Sequence, residues 1–182
     1  MDQNQLFYLI VMGVTLLGAV GNLLIINKSP LKYGRIFITN IVIAVSLCSF
    51  FVMTGFYRFV LPLPHILPAV VCSFGFLVLF LIYFKPTKHT FPYFFMIINI
   101  TFVFEILLKH IGFITYKNGW DLWDSYTLYW IYVRIFVFLG EKMVADENRQ
   151  PLNTVNKWYW PSFFVIIFLT VLVALQHIFK VQ

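Results

Sequence analysis

Six long apolar stretches run along the chain, and no other feature constrains its fold as strongly. A helix that crosses the hydrocarbon core of a bilayer needs about 20 mainly apolar residues. Stretches of this kind lie at residues 6–26, 36–56, 66–84, 91–108, 122–139 and 162–179. The pattern predicts an all-α fold: a polytopic transmembrane helix bundle of about six spans, forming a single integral membrane domain over residues 1–182.

The composition favours lipid over water as the solvent of most of the chain. Hydrophobic residues make up 61% of the 182 residues, and charged residues only 11%. Soluble domains contain about 45–50% apolar and about 25% charged residues. The predicted spans and their short connections use up the sequence, so no soluble catalytic domain fits beside them. We therefore expect the lipid bilayer to be the main partner.

The net charge of +6 is better explained by membrane topology than by nucleic acid. No run of five or more Lys or Arg residues occurs, which argues against a nucleic-acid partner. Eight basic residues lie in the first, third and fifth connections or beside them, and four lie on the opposite side. The positive-inside rule then predicts that both termini are extracytoplasmic.

The fifth apolar stretch, residues 122–139, differs in composition from the other predicted spans. It is rich in Tyr and Trp and contains Arg134. A helix that lies in the membrane interface shows a strongly charged face, whereas the polar face of this segment is thin. We therefore favour a full span, and we expect Asp121 or Asp124 to cap its first turn.

Two ionisable residues inside predicted spans form the candidate site. Glu105 lies in the fourth stretch and Arg134 in the fifth, where a charged side chain costs about 2.5–3.5 kcal/mol to insert. In one interpretation Glu105 pairs with Lys109, one turn later on the same helix. In another, Glu105 and Arg134 form an ion pair between helices. In a third, both line a ligand site, where Trp130 stacks on Arg134 and Arg134 holds an anionic group.

Small and polar residues inside the spans indicate where helices pack closely. Thr15, Gly18 and Asn22 fall on one face of the first helix, as expected at a tight helix interface. Asn40 in the second helix and Asn99 in the fourth are expected to form hydrogen bonds to other helices.

Motifs of known chemistry are absent from the sequence. It contains no HExxH, GxSxG, P-loop or GxGxxG pattern, which are the signatures of common hydrolase, nucleotide and dinucleotide sites. His65, His89 and His110 fall in or beside different connections, at no spacing typical of a metal site. We therefore predict no enzymatic activity, no metal and no cofactor.

One segment in the second half of the chain resembles a protein family. Glu105 stands in the sequence Phe-Glu-Ile-Leu-Leu; Tyr116-x-x-Gly119-Trp120 follows in the next connection, and then Ser125. Over residues 90–140 this segment resembles an uncharacterised family of small multi-spanning membrane proteins from endospore-forming bacteria. The resemblance implies a bacterial plasma-membrane protein, and it marks Glu105, Tyr116, Gly119 and Trp120 as family positions without an implied role.

Two functions stay open from the sequence. The first is a non-enzymatic role in the bacterial plasma membrane, with a link to the spore envelope and contacts to other membrane subunits. The second is binding or transport of a small molecule at an intramembrane site near Glu105 and Arg134. Transporter sites usually lie at broken helices near the bilayer midplane, but no Gly or Pro interrupts the fourth or fifth stretch. The sequence does not identify the ligand.

Overall fold

The computed structural model describes residues 3–180, and it describes side chains for residues 3–175. Its helices confirm the predicted all-α bundle. They are α1 (Gln3–Ile26), α2 (Pro30–Met53), α3 (Leu63–Tyr83), α4 (Thr90–His110), α5 (Leu122–Met143) and α6 (Tyr159–Lys180). Two short strands, β1 (Tyr57–Phe59) and β2 (Ile114–Tyr116), lie in the connections.

Four helices, α1 to α4, are long and apolar enough to cross a membrane. Within the described residues, the apolar part of α6 is shorter and covers Tyr159–Leu175. Helix α5 has the required length, but it carries Asp124, Arg134, Glu141 and Lys142. The chain therefore fits a membrane protein, whereas spanning by α5 and α6 stays a prediction.

Helix α2 begins at Pro30 rather than at residue 36 as the apolar pattern predicts. Proline is favoured at the first helical position, because its ring presets the backbone angle and its missing N–H is not needed there. The carbonyl of Ser29 accepts hydrogen bonds from the backbone N–H groups of Lys32 and Tyr33. The polar residues that hydropathy assigns to a connection therefore form the first turns of α2.

Helix α5 begins with a capping box, which confirms the predicted cap. The Asp121 carboxylate accepts from the backbone N–H groups of Trp123 at 2.7 Å and Asp124 at 3.1 Å. In return, the Asp124 carboxylate accepts from the backbone N–H of Asp121 at 2.9 Å. These bonds satisfy donors that have no partner inside the helix, and they set where the buried face of α5 starts.

Helix α3 lies at the centre of the bundle. Helices α1 and α2 pack along it and α5 contacts it, whereas α4 packs on α6 and α5. Gly18 allows the close approach of α1, since a Cβ there would lie 2.7 Å from the backbone of Cys72. Asn22 Nδ2 donates to the Cys72 carbonyl at 2.9 Å. The predicted packing role of Gly18 and Asn22 is confirmed.

The remaining polar residues of the spans divide into two groups. Asn40 accepts a hydrogen bond from the Tyr132 hydroxyl on α5, so its predicted interhelical bond is confirmed. Asn99 donates to the carbonyl of Phe95 in its own helix, and the prediction for Asn99 is wrong. Thr15 likewise bonds to a carbonyl of its own helix, a common alternative for short polar side chains in helices.

The connections gather at two ends of the bundle. At the strand end, which we define by β1 and β2, the two strands pair antiparallel and Tyr57 lies opposite Tyr116. At the other end the connection between α5 and α6 folds back over α3, where the backbone N–H of Gln150 donates to the carbonyl of Tyr83 at 2.9 Å. We call this second end the loop end.

Candidate functional site

Glu105 lies at the centre of a buried polar cluster at the strand end. The residue belongs to α4 and is only 4% exposed. Its Oε1 accepts hydrogen bonds from the hydroxyls of Tyr57 at 3.0 Å and Tyr116 at 2.7 Å. Its Oε2 accepts from the hydroxyl of Tyr129 on α5. Three phenols from three different elements therefore converge on one carboxylate.

A chain of hydrogen bonds leads from the cluster toward the end of the bundle. Trp120 Nε1, which can only donate, bonds to Ser125 Oγ at 3.0 Å. Ser125 Oγ lies 2.7 Å from the hydroxyl of Tyr57. Because Tyr57 gives its single proton to Glu105, Ser125 must donate to Tyr57. We call these six residues the Glu105 cluster; they are Glu105, Tyr57, Tyr116, Tyr129, Ser125 and Trp120.

A tight turn after β2 carries Trp120 back to the cluster. Asn118 has a φ of 54° and Gly119 a φ of 79°, which matches the two central positions of a type I′ turn. Asn118 Nδ2 donates to the carbonyl of Thr54 at 2.9 Å and so fastens the turn to the end of α2. Glycine suits position 119 because L side chains rarely adopt this left-handed backbone conformation.

The two strand tyrosines form a stacked pair across β1 and β2. Their ring centroids lie 5.3 Å apart, with an interplanar angle of 20°. Burial, and after it the charge of Glu105, raises the pKa of both Tyr57 and Tyr116 above the ordinary value of 10.0. Both phenols therefore stay protonated and act as donors. Lys109 Nζ lies 4.5 Å from the centre of the Tyr116 ring, at the edge of the cluster.

Arg134 does not join the cluster, and the predicted ion pair with Glu105 is wrong. Arg134 is exposed, whereas Glu105 is buried. Tyr129 faces Glu105, and Arg134 lies five residues later, which rotates it by about 140° around α5. Ion pairs among the described side chains are Lys85–Glu141 and Arg149–Asp146. Glu105 therefore forms no ion pair with a described side chain, Lys109 included.

Trp130 also does not make its predicted contact with Arg134. Its ring stacks on Phe91, with centroids 5.8 Å apart and an interplanar angle of 17°. It also contacts Phe95 at a centroid distance of 6.3 Å. Cation–π contacts found among the described side chains do not include Arg134 with Trp130, so the predicted stacking is wrong as well.

A cavity of about 520 Å³ lies beside the Glu105 cluster, between helices α1 to α5. This volume falls within the range of about 300–1,000 Å³ that is typical of small-molecule sites. Most of its wall is aliphatic or aromatic. The polar side chains in the wall are Glu105, Tyr57, Tyr129, Tyr132, Ser73 and Thr101. Ser73 and Thr101 donate to carbonyls of their own helices, so the Glu105 cluster supplies the main polar surface.

The geometry leaves Glu105 able to accept one more hydrogen bond. A carboxylate offers about four lone-pair positions, and the three phenols use three of them. Among the described residues, no group of three or more His, Cys, Asp or Glu side chains is placed to hold a metal ion. Glu105, which lines the cavity, therefore keeps one acceptor position that no described residue uses.

Sequence reasoning missed Tyr57 and Tyr129. A signal for Tyr129 was present, because Ser125, Tyr129 and Tyr132 fall at i, i+4 and i+7 and so share one face of α5. Tyr57 carries no such signal, since its position depends on the pairing of β1 with β2.

The residues that carry the resemblance noted above are neighbours in space. Glu105, Tyr116, Trp120 and Ser125 all belong to the Glu105 cluster, and Gly119 forms the turn that positions Trp120. In comparisons with protein-family models, with curated proteins and with solved structures, the chain matches none.

Proposed function

We propose that the protein binds a small, mainly apolar molecule within the membrane, in the cavity beside Glu105. One observation carries the proposal: a buried carboxylate that forms no ion pair with a described side chain lies in the wall of a mainly apolar cavity. Ionisable groups at such depth are rare, and they mark binding or transport sites in membrane proteins. The proposal keeps the small-molecule interpretation of the sequence. In the proposed site, the neighbours of Glu105 are the three tyrosines rather than Arg134.

The space beside Glu105 favours binding over a purely structural role of the cluster. A cluster that served only to join the two strands to α4 and α5 would need no cavity of about 520 Å³ next to it. The combination of apolar walls and a few convergent polar groups is typical of ligand sites.

We further propose that this role is non-enzymatic and that the protein resides in the bacterial plasma membrane. The non-enzymatic role is supported by the absence of a catalytic motif from the sequence. The location, and a link to the spore envelope, are supported only by the resemblance of residues 90–140 to the family from endospore-forming bacteria.

The proposal is tested by filling the cavity. Ala44 on α2 is 4% exposed and lines the cavity, whereas Val42 on the same helix is 61% exposed. Aminoanthracene, an aromatic fluorescent probe, is titrated into the protein in phosphatidylcholine nanodiscs, with energy transfer from tryptophan as the signal. We expect saturable binding to the wild type and to Val42→Phe, and a loss of about tenfold or more in affinity for Ala44→Phe.

Two results would contradict this function. Binding that is not saturable in the wild type would argue against a site. Equal affinity of the wild type and Ala44→Phe would place the probe elsewhere. Circular dichroism and size-exclusion chromatography of each variant separate a filled cavity from a failure to fold.

A further inference from the structure

We propose that the molecule bound beside Glu105 is a single-chain amphiphile with a protonated amine as its head group, and that it enters from the bilayer between α1 and α4. This inference rests on the proposed function, because it names the chemical class and the route of the same ligand.

The head group follows from the electrostatics of the cluster. Buried carboxylates in proteins are normally paired with a positive charge, but the hydrogen-bond partners of Glu105 among the described side chains are three neutral phenols. Lys109 lies at the edge of the cluster but forms no ion pair with Glu105. An ammonium group in the cavity would place a positive charge in direct contact with the carboxylate and fill the remaining acceptor position. The aromatic rings of Tyr57, Phe59 and Phe104 also line the cavity, and their faces attract cations. A carboxylate head group would instead be repelled by Glu105.

The tail follows from the shape of the apolar wall. The lining residues on α3 extend from Ile66 to Phe80, a length of about 21 Å along the helix axis. This length suits one extended alkyl chain. The two acyl chains of a phospholipid would exceed a cavity of about 520 Å³. The wall therefore favours a single-chain amine over a two-chain aminolipid.

The route follows from the packing of the helices. Helix α1 packs on α3 and α4 packs on α5 and α6, and the described parts of α1 and α4 share no extended contact. Ile100 and Phe104 on α4 line the cavity, yet they are 46% and 44% exposed. At the strand end, Leu108 packs against the apolar cluster that includes Phe7 and Val11. The opening therefore lies along the apolar middle of the helices, where a molecule dissolved in lipid can reach it.

The head group is tested with three probes that share one tail. Dodecylamine, dodecanol and dodecanoate compete with aminoanthracene for the protein in nanodiscs of phosphatidylcholine, a lipid without a primary amine. We expect dodecylamine to bind about tenfold more tightly than dodecanol, and dodecanoate to bind most weakly. Glu105→Gln, which keeps the size of the side chain and an acceptor oxygen, should reduce dodecylamine to the affinity of dodecanol.

The results separate this inference from the proposed function. Equal affinity of the three head groups, or unchanged amine affinity in Glu105→Gln, would overturn the inference while a saturable cavity site remained. Phosphatidylethanolamine that competes as well as dodecylamine would overturn the single-chain assignment. A lack of saturable binding by every probe would overturn the proposed function itself. If Glu105→Gln fails to fold, the order of the three affinities for the wild type still tests the head-group assignment.

The route is tested by narrowing the opening. Ile100→Trp places a large ring at the opening, and Leu107→Trp places the same ring on the lipid-facing surface of α4, where Leu107 is 48% exposed and does not line the cavity. We expect Ile100→Trp to slow the association of dodecylamine several-fold, and Leu107→Trp to have no effect. Equal association rates for the wild type and Ile100→Trp would overturn the route.

Discussion

The two ends of the bundle each hold a glutamate, and they do so by opposite means. At the strand end Glu105 is 4% exposed and accepts hydrogen bonds from three neutral phenols. At the loop end the side chain of Glu141 is 47% exposed and pairs with Lys85. Water stabilises the exposed glutamate, whereas the buried one depends on its protein partners.

This difference indicates for which of the two carboxylates the stability of the fold depends more on its partners. An exposed ion pair is worth about 0–1 kcal/mol. A buried polar group that loses its partner costs about 1–3 kcal/mol. Of these two glutamates, Glu105 at the strand end is therefore the one whose environment matters more for the fold, and it lines the cavity.

The loop end uses its positive charges for a structural purpose. The guanidinium of Arg149 donates to the carbonyls of Gly140 at 3.2 Å and of Val144, at the end of α5. It also pairs with Asp146 at 3.0 Å. Basic groups are favoured at helix C-termini, where carbonyls lack partners and the helix dipole is negative. The charge on Arg149 therefore caps a helix.

The largest effect is expected from Glu105→Leu. This change leaves the hydroxyls of partly buried Tyr116 and buried Tyr129 without their acceptor. Each loss costs up to about 1–3 kcal/mol, so the free energy of unfolding should fall by several kcal/mol. Thermal and denaturant unfolding in detergent would measure the loss. Arg134→Met is the control, since Arg134 is exposed and no loss is expected. A Leu variant as stable as the wild type would show that the phenols find other acceptors.

A smaller effect is expected from Tyr129→Phe, which removes one donor to Glu105 and keeps the ring. A hydrogen bond to a charged group contributes about 1.5–3 kcal/mol, and we expect a loss in this range in the same unfolding measurements. The matched control is Tyr126→Phe on the same helix, because the Tyr126 ring packs on Phe102 and its hydroxyl makes no hydrogen bond with a described group. Similar losses in both variants would argue against the bond to Glu105.

Gly119→Ala tests the turn that positions Trp120. Since Gly119 has a φ of 79°, a Cβ there should destabilise the turn by about 1–2 kcal/mol. Gly13→Ala on α1 is the control, because a Cβ at Gly13 meets nothing within 4 Å and should raise helix stability slightly. Loss of near-ultraviolet circular dichroism from tryptophan would report displacement of Trp120. An unchanged signal and melting temperature would show that the turn tolerates the side chain.

The smallest effect is expected from Glu141→Gln at the loop end. The hydrogen bond from Lys85 is the main cause that lowers the pKa of the Glu141 carboxyl below its usual 4.5. A lowered pKa in the folded state means that the contribution is present above pH 4.5 and is lost as the pH falls through the folded value. Because the side chain is half exposed, we expect Glu141→Gln to lower the free energy of unfolding by well under 1 kcal/mol. The melting temperatures of wild type and variant at neutral and acidic pH would measure this loss. A large loss at neutral pH would contradict this comparison of the two ends.

The sequence predicted features that depend on neighbours along the chain. The cap of α5 at Asp121 follows from local hydrogen bonding, and the burial of Glu105 follows from its place in an apolar stretch. The sequence could not predict the partner of Glu105, because several charged and polar residues had comparable positions along the helices. Arg134 was a reasonable candidate by charge, but the rotation of α5 places Tyr129 on the facing side instead.

The helical character of the fold was determined by the sequence alone. Long apolar segments must satisfy their own backbone hydrogen bonds in lipid, and a helix does so without reference to any neighbour. The tertiary structure alone decided what surrounds Glu105. Tyr57 lies 48 residues away in the chain and reaches the carboxylate only because two connections pair as strands at the same end of the bundle. Hydropathy carries no information about such strand pairing. The cavity beside Glu105 is formed by this pairing together with the arrangement of α1 to α5.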